Sequence, residues 1–252
     1  MDLNGKHALV TGGGTGIGLA IAQALANAGC VVTITGRRQA VLDQVTASTP
    51  GLYGMAMDVQ QEGEVVATIE AAVAARGPIQ ICVANAGIAE GRALHKTELS
   101  FWRNMMATNL DGAFLTIREA MKSMRETDWG RVIAVSSVAG LRGLQGASCY
   151  TASKHGMIGL IRGLSEDYVG SPYTFNALCP AYVDTEIVTR NTDAIATRAG
   201  LSNDEARNVM VSANRHKRLI APEEVSAAAL WLVSPGSQSV NGQAIEIAGG
   251  MV

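Results

Sequence analysis

Residues 11–18, with the sequence TGGGTGIG, decide the fold of this chain. They follow a short apolar run at 7–10 and begin a segment of helical periodicity. A strand that turns on glycines into a helix brings backbone N–H groups to the positive end of the helix dipole, and this arrangement binds phosphate or pyrophosphate. Gly12, Gly16 and Gly18 are spaced differently from the common G-x-G-x-x-G dinucleotide pattern. A glycine-rich turn without a ligand is therefore the alternative that this stretch alone leaves open.

The composition limits the class of protein. The chain has 252 residues, of which 48% are hydrophobic and 17% charged, and this suits one large α/β domain over residues 1–252. A net charge of −2 argues against nucleic acid or an anionic membrane as the main partner. No apolar run approaches the length of a membrane-spanning helix, and the first residues lack the apolar core of a signal peptide. We therefore expect neither a nucleic-acid nor a membrane partner.

The cysteines and histidines show no metal-binding pattern. The four cysteines, Cys30, Cys82, Cys149 and Cys179, form no C-x-x-C pair, which is typical of reduced thiols in a cytoplasmic protein. The four histidines are equally scattered and lack the spacing of metal ligands. The sequence thus predicts a cytoplasmic protein without a metal site.

Strand-like and helix-like segments alternate along the chain. Short β-branched or apolar runs predict strands at 7–10, 31–35, 52–57, 79–84, 131–136, 175–179 and 244–247. Apolar periodicity predicts helices at 17–28, 40–46, 62–76, 100–124 and 153–168. Helices between consecutive strands predict an α/β fold with a Rossmann-like, doubly wound parallel sheet of seven strands, right-handed crossovers and helices on both faces.

A cleft is predicted beyond the carboxyl ends of the strands, where sheets of this kind bind their ligands. The residues expected at those ends are 12–18, Arg37, Asp58, 85–87, 136–137 and 180–185. Residues 186–218 have weak periodicity and many polar side chains, and they interrupt the alternation next to this cleft. We interpret residues 186–218 as a lid that covers the substrate.

Tyr150 and Lys154 carry the chemical signal of the sequence. Residues four apart share one face of a helix, so the lysine ammonium can lie near the tyrosine oxygen. A neighbouring cation stabilises the phenolate and lowers the pKa of a tyrosine from about 10 towards the working range of a general acid and base. Ser137, at the end of the fifth predicted strand, can hydrogen-bond a carbonyl or alcohol oxygen. A structural tyrosine and a surface lysine are the alternative for this pair alone.

Several motifs together resemble the short-chain dehydrogenase/reductase family over essentially the whole chain. The matching residues are 11–18, Asn85-Ala86-Gly87, Asn109, Ser137, Tyr150 with Lys154, Pro180, Thr185, 222–225 and 241–243. The resemblance implies a nicotinamide cofactor and hydride transfer to or from a carbonyl or secondary alcohol. One departure from the family pattern is Ala181, where many relatives have a glycine after the proline.

The resemblance also implies roles for single residues. Tyr150 is then the acid and base, Ser137 polarises the substrate oxygen, and Lys154 lowers the pKa of Tyr150 and binds the nicotinamide ribose. Asn109 helps to hold a water in a proton relay. The residues implied in cofactor binding are Gly12, Gly14, Thr15, Gly16, Ile17, Gly18, Arg37, Arg38, Asp58, Val59, Asn85, Ala86, Gly87, Tyr150, Lys154, Pro180, Val183 and Thr185.

The segment after the second predicted strand bears on the choice of nicotinamide. An acidic residue about twenty positions after the glycine turn usually binds the ribose hydroxyls of NAD. That position is near Gly36, and no carboxylate follows it before Asp43. Arg37 and Arg38 come directly after Gly36, and a guanidinium suits the 2′-phosphate of NADP. Against this, Thr15 stands where NADP-preferring relatives often have a basic residue, and NAD can still bind through backbone contacts at Gly36. On the strength of the two arginines we predict a preference for NADP(H), with NAD(H) still possible.

An apolar substrate pocket is predicted near the reacting groups. Its residues are Leu141, Leu144, Ile187, Val188, Val209 and Met210. They favour a small-molecule ketone or alcohol with an aliphatic or alicyclic chain, and the pattern is also similar to relatives that act on 3-oxoacyl or 3-hydroxyacyl thioesters. The alternatives are a sugar or polyol dehydrogenase, a non-catalytic NAD(P)-binding regulator, and an epimerase or dehydratase on a related fold.

A stripe of small residues predicts an oligomer. Ala152, Gly156, Gly159 and Gly163 fall on one face of a helix, and larger apolar side chains project to the opposite side. A helix that is small or apolar nearly all round is buried on both faces. One face meets the sheet, so the other can meet its copy in a homodimer or homotetramer.

Overall fold

One sheet of seven parallel strands organises residues 3–250, which the computed structural model describes, with side chains except at positions 190, 191, 194, 195, 197, 198 and 199. The strands are β1 (His7–Thr11), β2 (Val31–Gly36), β3 (Leu52–Ala56), β4 (Ile79–Ala84), β5 (Gly130–Val135), β6 (Tyr173–Pro180) and β7 (Ala244–Ile247). Their order across the sheet is β3-β2-β1-β4-β5-β6-β7, and every adjacent pair is parallel. The predicted doubly wound, seven-stranded parallel sheet is confirmed.

Helices connect the strands and cover both faces of the sheet. They are α1 (Gly16–Asn27), α2 (Gln39–Ser48), α3 (Glu62–Arg76), α4 (Leu99–Met106), α5 (Gly112–Met124), α6 (Ser148–Asp167), α7 (Glu186–Ala199), α8 (Asn203–Ala213) and α9 (Pro222–Leu232). Short 3₁₀ turns at Leu94–Lys96 and Val138–Gly140 precede α4 and α6.

The structure corrects two of the helix predictions and shows how the predicted lid folds. The helix expected at 100–124 is divided into α4 and α5 by a π-helical turn, Ala107–Asp111. The helix expected at 153–168 begins earlier, at Ser148, because its first turn is packed by tertiary contacts rather than marked by apolar periodicity. The weakly periodic lid, 186–218, contains the two helices α7 and α8.

Apolar side chains of the strands alternate between two cores, one on each face of the sheet. In β1, Ala8 and Val10 pack with α1, α2 and α9, while Leu9 packs with α3, α5 and α6 on the opposite face. Because the sheet is buried on both faces, the strands read as nearly continuous apolar runs, and this explains why they could be predicted.

The strand order reverses between β1 and β4. The crossovers on either side of this point run in opposite directions, so a crevice opens beyond the carboxyl ends of these two strands. Gly12 directly follows β1, and Asn85 directly follows β4. Two of the predicted motifs therefore flank the crevice.

Candidate active site

The glycine turn between β1 and α1 depends on positions that favour glycine. Gly12 and Gly16 have φ angles of +63° and +54°. A Cβ atom on Gly12 would lie 2.9 Å from the side-chain nitrogen of Asn85, and one on Gly18 would collide with the Gly12 carbonyl. Thr15 is the N-cap residue of α1, but its side chain makes no capping hydrogen bond. The turn thus brings the positive end of α1 to the crevice, as an anion site requires.

Thr11 and Asn85 join the carboxyl ends of β1 and β4. The Thr11 hydroxyl accepts hydrogen bonds from the backbone N–H groups of Asn85 (3.0 Å) and Ala86 (3.1 Å). In return, the Asn85 amide donates to the carbonyl oxygens of Thr11 (2.8 Å) and Gly12 (3.3 Å). These bonds hold the glycine turn against β4. The structural role of Asn85 could not be predicted from the sequence, because its partners lie more than 70 residues away.

Two adjoining cavities extend along the crevice, and together we call them the cleft. The first has a volume of about 470 Å³, and its predicted lining residues are Gly12, Gly14, Thr15, Arg37, Arg38, Asp58, Val59, Ala86 and Gly87. The second has a volume of about 180 Å³, and its predicted lining residues are Gly12, Thr15, Gly16, Ile17, Asn85, Ala86, Gly87, Tyr150, Lys154 and Thr185. The cleft therefore extends from the arginine pair to the tyrosine–lysine pair.

Five predicted site residues line neither of these two cavities. They are Gly18, Asn109, Ser137, Pro180 and Val183. Pro180 ends β6, where it pairs with Ile247 of β7. Val183 is buried and forms a parallel bridge with Ile220. All five are buried, and Ser137 is connected to the second cavity by its hydrogen bond with Tyr150.

The first cavity also contains residues that sequence reasoning missed. They are Thr35, Gly36, Val41, Leu42, Met57, Gln60, Ile88 and Thr108. The buried Thr35 hydroxyl has no hydrogen-bond partner among the described residues. Thr35 directly precedes Gly36 and Arg37 at the end of β2, so its position in the strand could have predicted that it lines the cleft. Gln60 donates to the Thr108 hydroxyl at 2.9 Å, a contact between distant residues that carries no sequence signal.

Tyr150 and Ser137 meet where α6 faces the end of β5. Ser137 begins the 3₁₀ turn after β5, and its Oγ accepts a hydrogen bond from the Ala139 N–H at 3.1 Å. Burial raises the pKa of Tyr150 above its ordinary value, and a hydrogen bond with Ser137 offsets only part of this rise. Tyr150 is therefore protonated at neutral pH and can donate its proton to an oxygen held beside Ser137.

Lys154 lies one helical turn beyond Tyr150 and is only 4% exposed. Its Nζ donates to the Val135 carbonyl at 2.8 Å and lies 5.8 Å from the centre of the Tyr150 ring. Burial lowers the pKa of Lys154 to about 8. The pKa of Tyr150 is raised overall, and its lowering by Lys154 stays a prediction. Burial of the phenol has the larger effect, and the ammonium is hydrogen-bonded to Val135.

Asn109 lies in the π-helical turn between α4 and α5 and is fully buried. Its Oδ1 accepts from the Ile88 N–H at 2.8 Å, and its Nδ2 donates to the Ile88 carbonyl and to the Ser153 hydroxyl, both at 3.0 Å. Single π turns inside helices are frequent at functional sites. Asn109 ties the loop after β4 to α6, the helix that carries Tyr150. Its part in a proton relay stays a prediction.

Arg37 and Arg38 lie at the exposed rim of the first cavity. Arg38 forms an ion pair with Glu186, the first residue of α7, at 3.9 Å. Both side chains are mostly exposed, so this pair contributes little stability. Arg37 takes part in no ion pair within residues 3–250. Its guanidinium is available to a bound anion.

Asp58 and Val59 form the far wall of the first cavity. The Asp58 carboxylate accepts from the Gln60 N–H at 3.0 Å, and the Asp58 N–H donates to the Glu64 carboxylate at 2.8 Å. Val59 is buried so closely against Gly112 that a Cβ on this glycine would lie 2.7 Å from the valine. These contacts hold the turn after β3 in a defined shape.

The lid folds as two helices, α7 and α8, that pack against each other. Ile187 lines the second cavity beside Tyr150, whereas Val188 and Met210 are buried in the packing and Val209 is half exposed. Of the six residues predicted for an apolar pocket, Ile187 alone therefore lines either cavity. On α7, the helical period turns Ile187 towards the cleft and the next residue, Val188, into the packing between the lid helices.

No group of three or more His, Cys, Asp or Glu side chains in residues 3–250 could hold a metal ion. The four cysteines are buried free thiols. Over the same residues, every helix is too short or too polar to cross a membrane.

Comparisons with known proteins agree with this geometry. The family model for short chain dehydrogenases matches residues 6–196. This chain belongs to the short-chain dehydrogenase family. A D-beta-hydroxybutyrate dehydrogenase of Cupriavidus necator is 33% identical to it over 99% of both chains. A 3-oxoacyl-(acyl-carrier-protein) reductase of Mycobacterium tuberculosis is 32% identical over 98% of this chain and 92% of that protein.

A solved structure of a short-chain dehydrogenase relative extends the comparison to the fold. It is a crystal structure of an actinorhodin polyketide ketoreductase variant with NADPH, 30% identical, with a TM-score of 0.93 over 98% of this chain and 97% of that chain. The chain is thus a nicotinamide-dependent oxidoreductase that interconverts carbonyl and secondary alcohol groups. The predictions of the family and of this reaction class are confirmed.

Proposed function

We propose that this short-chain dehydrogenase is an NADP(H)-preferring reductase of 3-oxoacyl-type or similar apolar ketones. One observation carries the proposal. Tyr150, Lys154 and the hydrogen-bonded Ser137 lie at one end of a cleft whose other end is bordered by Arg37. An acid, an oxygen ligand and a phosphate ligand thus stand along one continuous groove.

The residues of the cleft fit a nicotinamide dinucleotide. The glycine turn brings the start of α1 to the cleft, so a pyrophosphate can bind to the backbone N–H groups there. Arg37 and Arg38 are suited to the 2′-phosphate of NADP. We assign the adenine to Asp58 and Val59, the middle of the cofactor to Asn85, Ala86 and Gly87, the nicotinamide ribose to Tyr150 and Lys154, and the carboxamide to Pro180, Val183 and Thr185.

The mechanism assigns proton transfer to this chain and hydride transfer to the cofactor. When bound, NADPH supplies the hydride that adds to the carbonyl carbon. Tyr150 donates its phenolic proton to the substrate oxygen, which completes the alcohol. Ser137 holds that oxygen by a hydrogen bond, and Lys154 stabilises the phenolate that remains. Because the pKa of Lys154 is about 8, its ammonium is charged at neutral pH and can do this. Asn109 keeps the loop after β4 and α6 together.

The substrate class is proposed from the cavity and from the relatives. Ile187 lines the cavity beside Tyr150, and the relatives include a D-beta-hydroxybutyrate dehydrogenase and a 3-oxoacyl-(acyl-carrier-protein) reductase. We propose that α7 and α8, within the lid at 186–218, close over such a substrate. A sugar or polyol would require more polar side chains near Tyr150.

A ketone panel tests the substrate and the cofactor together. NADPH or NADH oxidation is followed by absorbance with acetoacetyl-coenzyme A, cyclohexanone and a ketose. We expect the highest kcat/KM with NADPH and acetoacetyl-coenzyme A. A higher value with the ketose would overturn the substrate class, and a higher value with NADH would overturn the cofactor preference.

The variant Arg37→Ala tests the proposed phosphate contact. Loss of a charge-assisted hydrogen bond should raise the KM for NADPH more than about tenfold and leave NADH kinetics nearly unchanged. Arg125→Ala is the matched control, because Arg125 is exposed at the end of α5 and lines neither cavity. Equal losses with both nucleotides would contradict the assignment.

We also infer that the enzyme is a cytoplasmic homodimer or homotetramer. Four buried free thiols are typical of a reducing compartment and support the location. Gly159 and Gly163 have open space above them on α6, and the half-exposed ring of Phe114 lies on α5. Such a surface of small and apolar residues supports the close approach of a second copy.

A further inference from the structure

Asn214 connects the lid to the segment that follows β6. It is the C-cap residue of α8, and it is fully buried. Its Nδ2 donates to the carbonyl oxygens of Tyr182 (3.0 Å) and Arg218 (2.7 Å), and its Oδ1 accepts from the Tyr182 N–H (3.2 Å). One side-chain amide therefore binds both backbone polar groups of Tyr182. No sequence motif pointed to this residue.

Tyr182 brings this connection to the reacting groups. Its side chain packs in the small cluster formed by Val138 and Ala248, and Val138 directly follows Ser137. It is also near enough to Tyr150 to act on it electrostatically. The position of the Tyr182 backbone therefore determines where a bulky ring stands next to the proposed proton donor.

We propose that Asn214 is a positioning residue that sets substrate binding through Tyr182. The inference rests on the proposed role of Tyr150. Buried hydrogen bonds to a backbone are directional, so the end of α8 and the Tyr182 backbone move together. Neither Asn214 nor Tyr182 lines the cavities assigned to the cofactor. Loss of the hydrogen bonds between Asn214 and the Tyr182 backbone, which we call the clasp, should therefore spare cofactor binding. It should weaken substrate binding, because the Tyr182 ring beside Tyr150 is then no longer held in place.

The test compares Asn214→Ala with Asn176→Ala. Asn176 is an equally buried clasp elsewhere in the molecule, because its Nδ2 donates to the Val240 carbonyl at 2.7 Å and its Oδ1 accepts from the Gln243 N–H at 3.1 Å. Asn176 also lines neither cavity. Kinetics use whichever of acetoacetyl-coenzyme A and cyclohexanone the wild type reduces faster. If the 3-oxoacyl proposal fails, the wild type reduces cyclohexanone faster, and the comparison of the asparagine variants is then made with cyclohexanone.

We expect Asn214→Ala to raise the ketone KM about tenfold, with a smaller change in kcat and an NADPH Kd within about twofold of the wild type. Asn176→Ala should lower the Tm to a similar extent and leave the ketone KM unchanged. In a Tyr182→Ala background, Asn214→Ala should add little to KM, because the ring through which it acts is gone. Equal effects of the two asparagine variants on KM, or full additivity with Tyr182→Ala, would overturn the proposal.

A second variant and a second measurement guard against a folding failure. Asn214→Ser adds neither bulk nor charge and shortens the side chain away from Tyr182, so it should fold and show the same change in KM. Amide hydrogen exchange does not depend on turnover. It should accelerate at 181–184 in both Asn214 variants and not in Asn176→Ala. Unchanged exchange at 181–184 would also contradict the clasp.

Discussion

Tyr150 is the residue on which the proposed chemistry depends most directly. Burial holds its proton in place, and the hydrogen bond with Ser137 orients the phenol. The structure assigns the acid form to the resting enzyme, so ketone reduction can begin without a preceding proton uptake.

Replacement of Tyr150 by Phe removes this proton and leaves the shape of the cleft nearly unchanged. We expect kcat to fall by about two to four orders of magnitude, the usual contribution of general acid–base catalysis. NADPH binding, measured by fluorescence titration, should persist. Tyr168→Phe is the control, because its ring contacts with Tyr173 and Phe175 do not need the hydroxyl. Wild-type turnover in the Tyr150 variant would show that the assignment is wrong.

His7, at the end of β1 opposite the glycine turn, makes the stability of the fold depend on pH. Its Nδ1 lies 2.7 Å from the Gly77 carbonyl, and its Nε2 lies 2.8 Å from the Thr33 hydroxyl. Burial lowers the pKa of His7 below its ordinary value of 6.5. The unfolded chain then binds a proton more readily than the folded one, so stability is full above about pH 6.5 and is lost as the pH falls below it.

The variant His7→Gln should remove part of this pH dependence. Urea unfolding at about pH 7.5 and about pH 5.5 should show a smaller drop in the free energy of unfolding than in the wild type. His155→Gln, at an exposed position on α6, serves as the control and should keep the wild-type drop. An identical drop in all three proteins would exclude His7 as its source.

At the scale of elements, the turn between β1 and α1 combines backbone conformation with close packing. Gly12 has a positive φ, and a Cβ there would press on Asn85. Gly12→Ala should therefore destabilise the fold by about 1–2 kcal/mol and weaken NADPH binding. The control is Gly63→Ala in α3, where a Cβ would meet nothing within 4 Å. This change should stabilise the protein by about 0.5–1 kcal/mol. Denaturation midpoints measure the stability, and titration measures NADPH binding. If Gly12→Ala changed neither, the packing argument would be refuted.

At the scale of the whole molecule, the small-residue face of α6 is only partly open. A Cβ on Gly156 would lie 2.8 Å from Leu110, so this end of the predicted stripe packs within the chain. Gly159 and Gly163 have nothing within 4 Å of an added Cβ. The surface left for a second copy is therefore the C-terminal half of α6, and Phe114 on α5 is a further exposed apolar side chain.

Sedimentation should give twice or four times the chain mass of 26.3 kDa at micromolar concentration. Gly159→Arg places a bulky charge on the open face without an internal clash and should shift the mass towards the monomer. Gly63→Arg, which is equally open but on α3, should not. A wild-type monomer would refute the assembly.

The sequence by itself determined the seven strands, the helical connections between the first six of them, the parallel sheet and the edge at which the site lies. These follow from local patterns, because β-branched runs, apolar periodicity and a glycine turn act over a few neighbouring residues. Tyr150 and Lys154 could be paired for the same reason, since one turn of helix separates them.

Only the tertiary structure decided the environment of those residues. The raised pKa of Tyr150, the bond from Lys154 to Val135 and the clasp of Asn214 on Tyr182 depend on burial and on partners distant in the chain. The lid helices depend on packing in the same way, since α7 and α8 cover each other. Burial and long-range contact are properties of the folded arrangement, and no local pattern of residues encodes them.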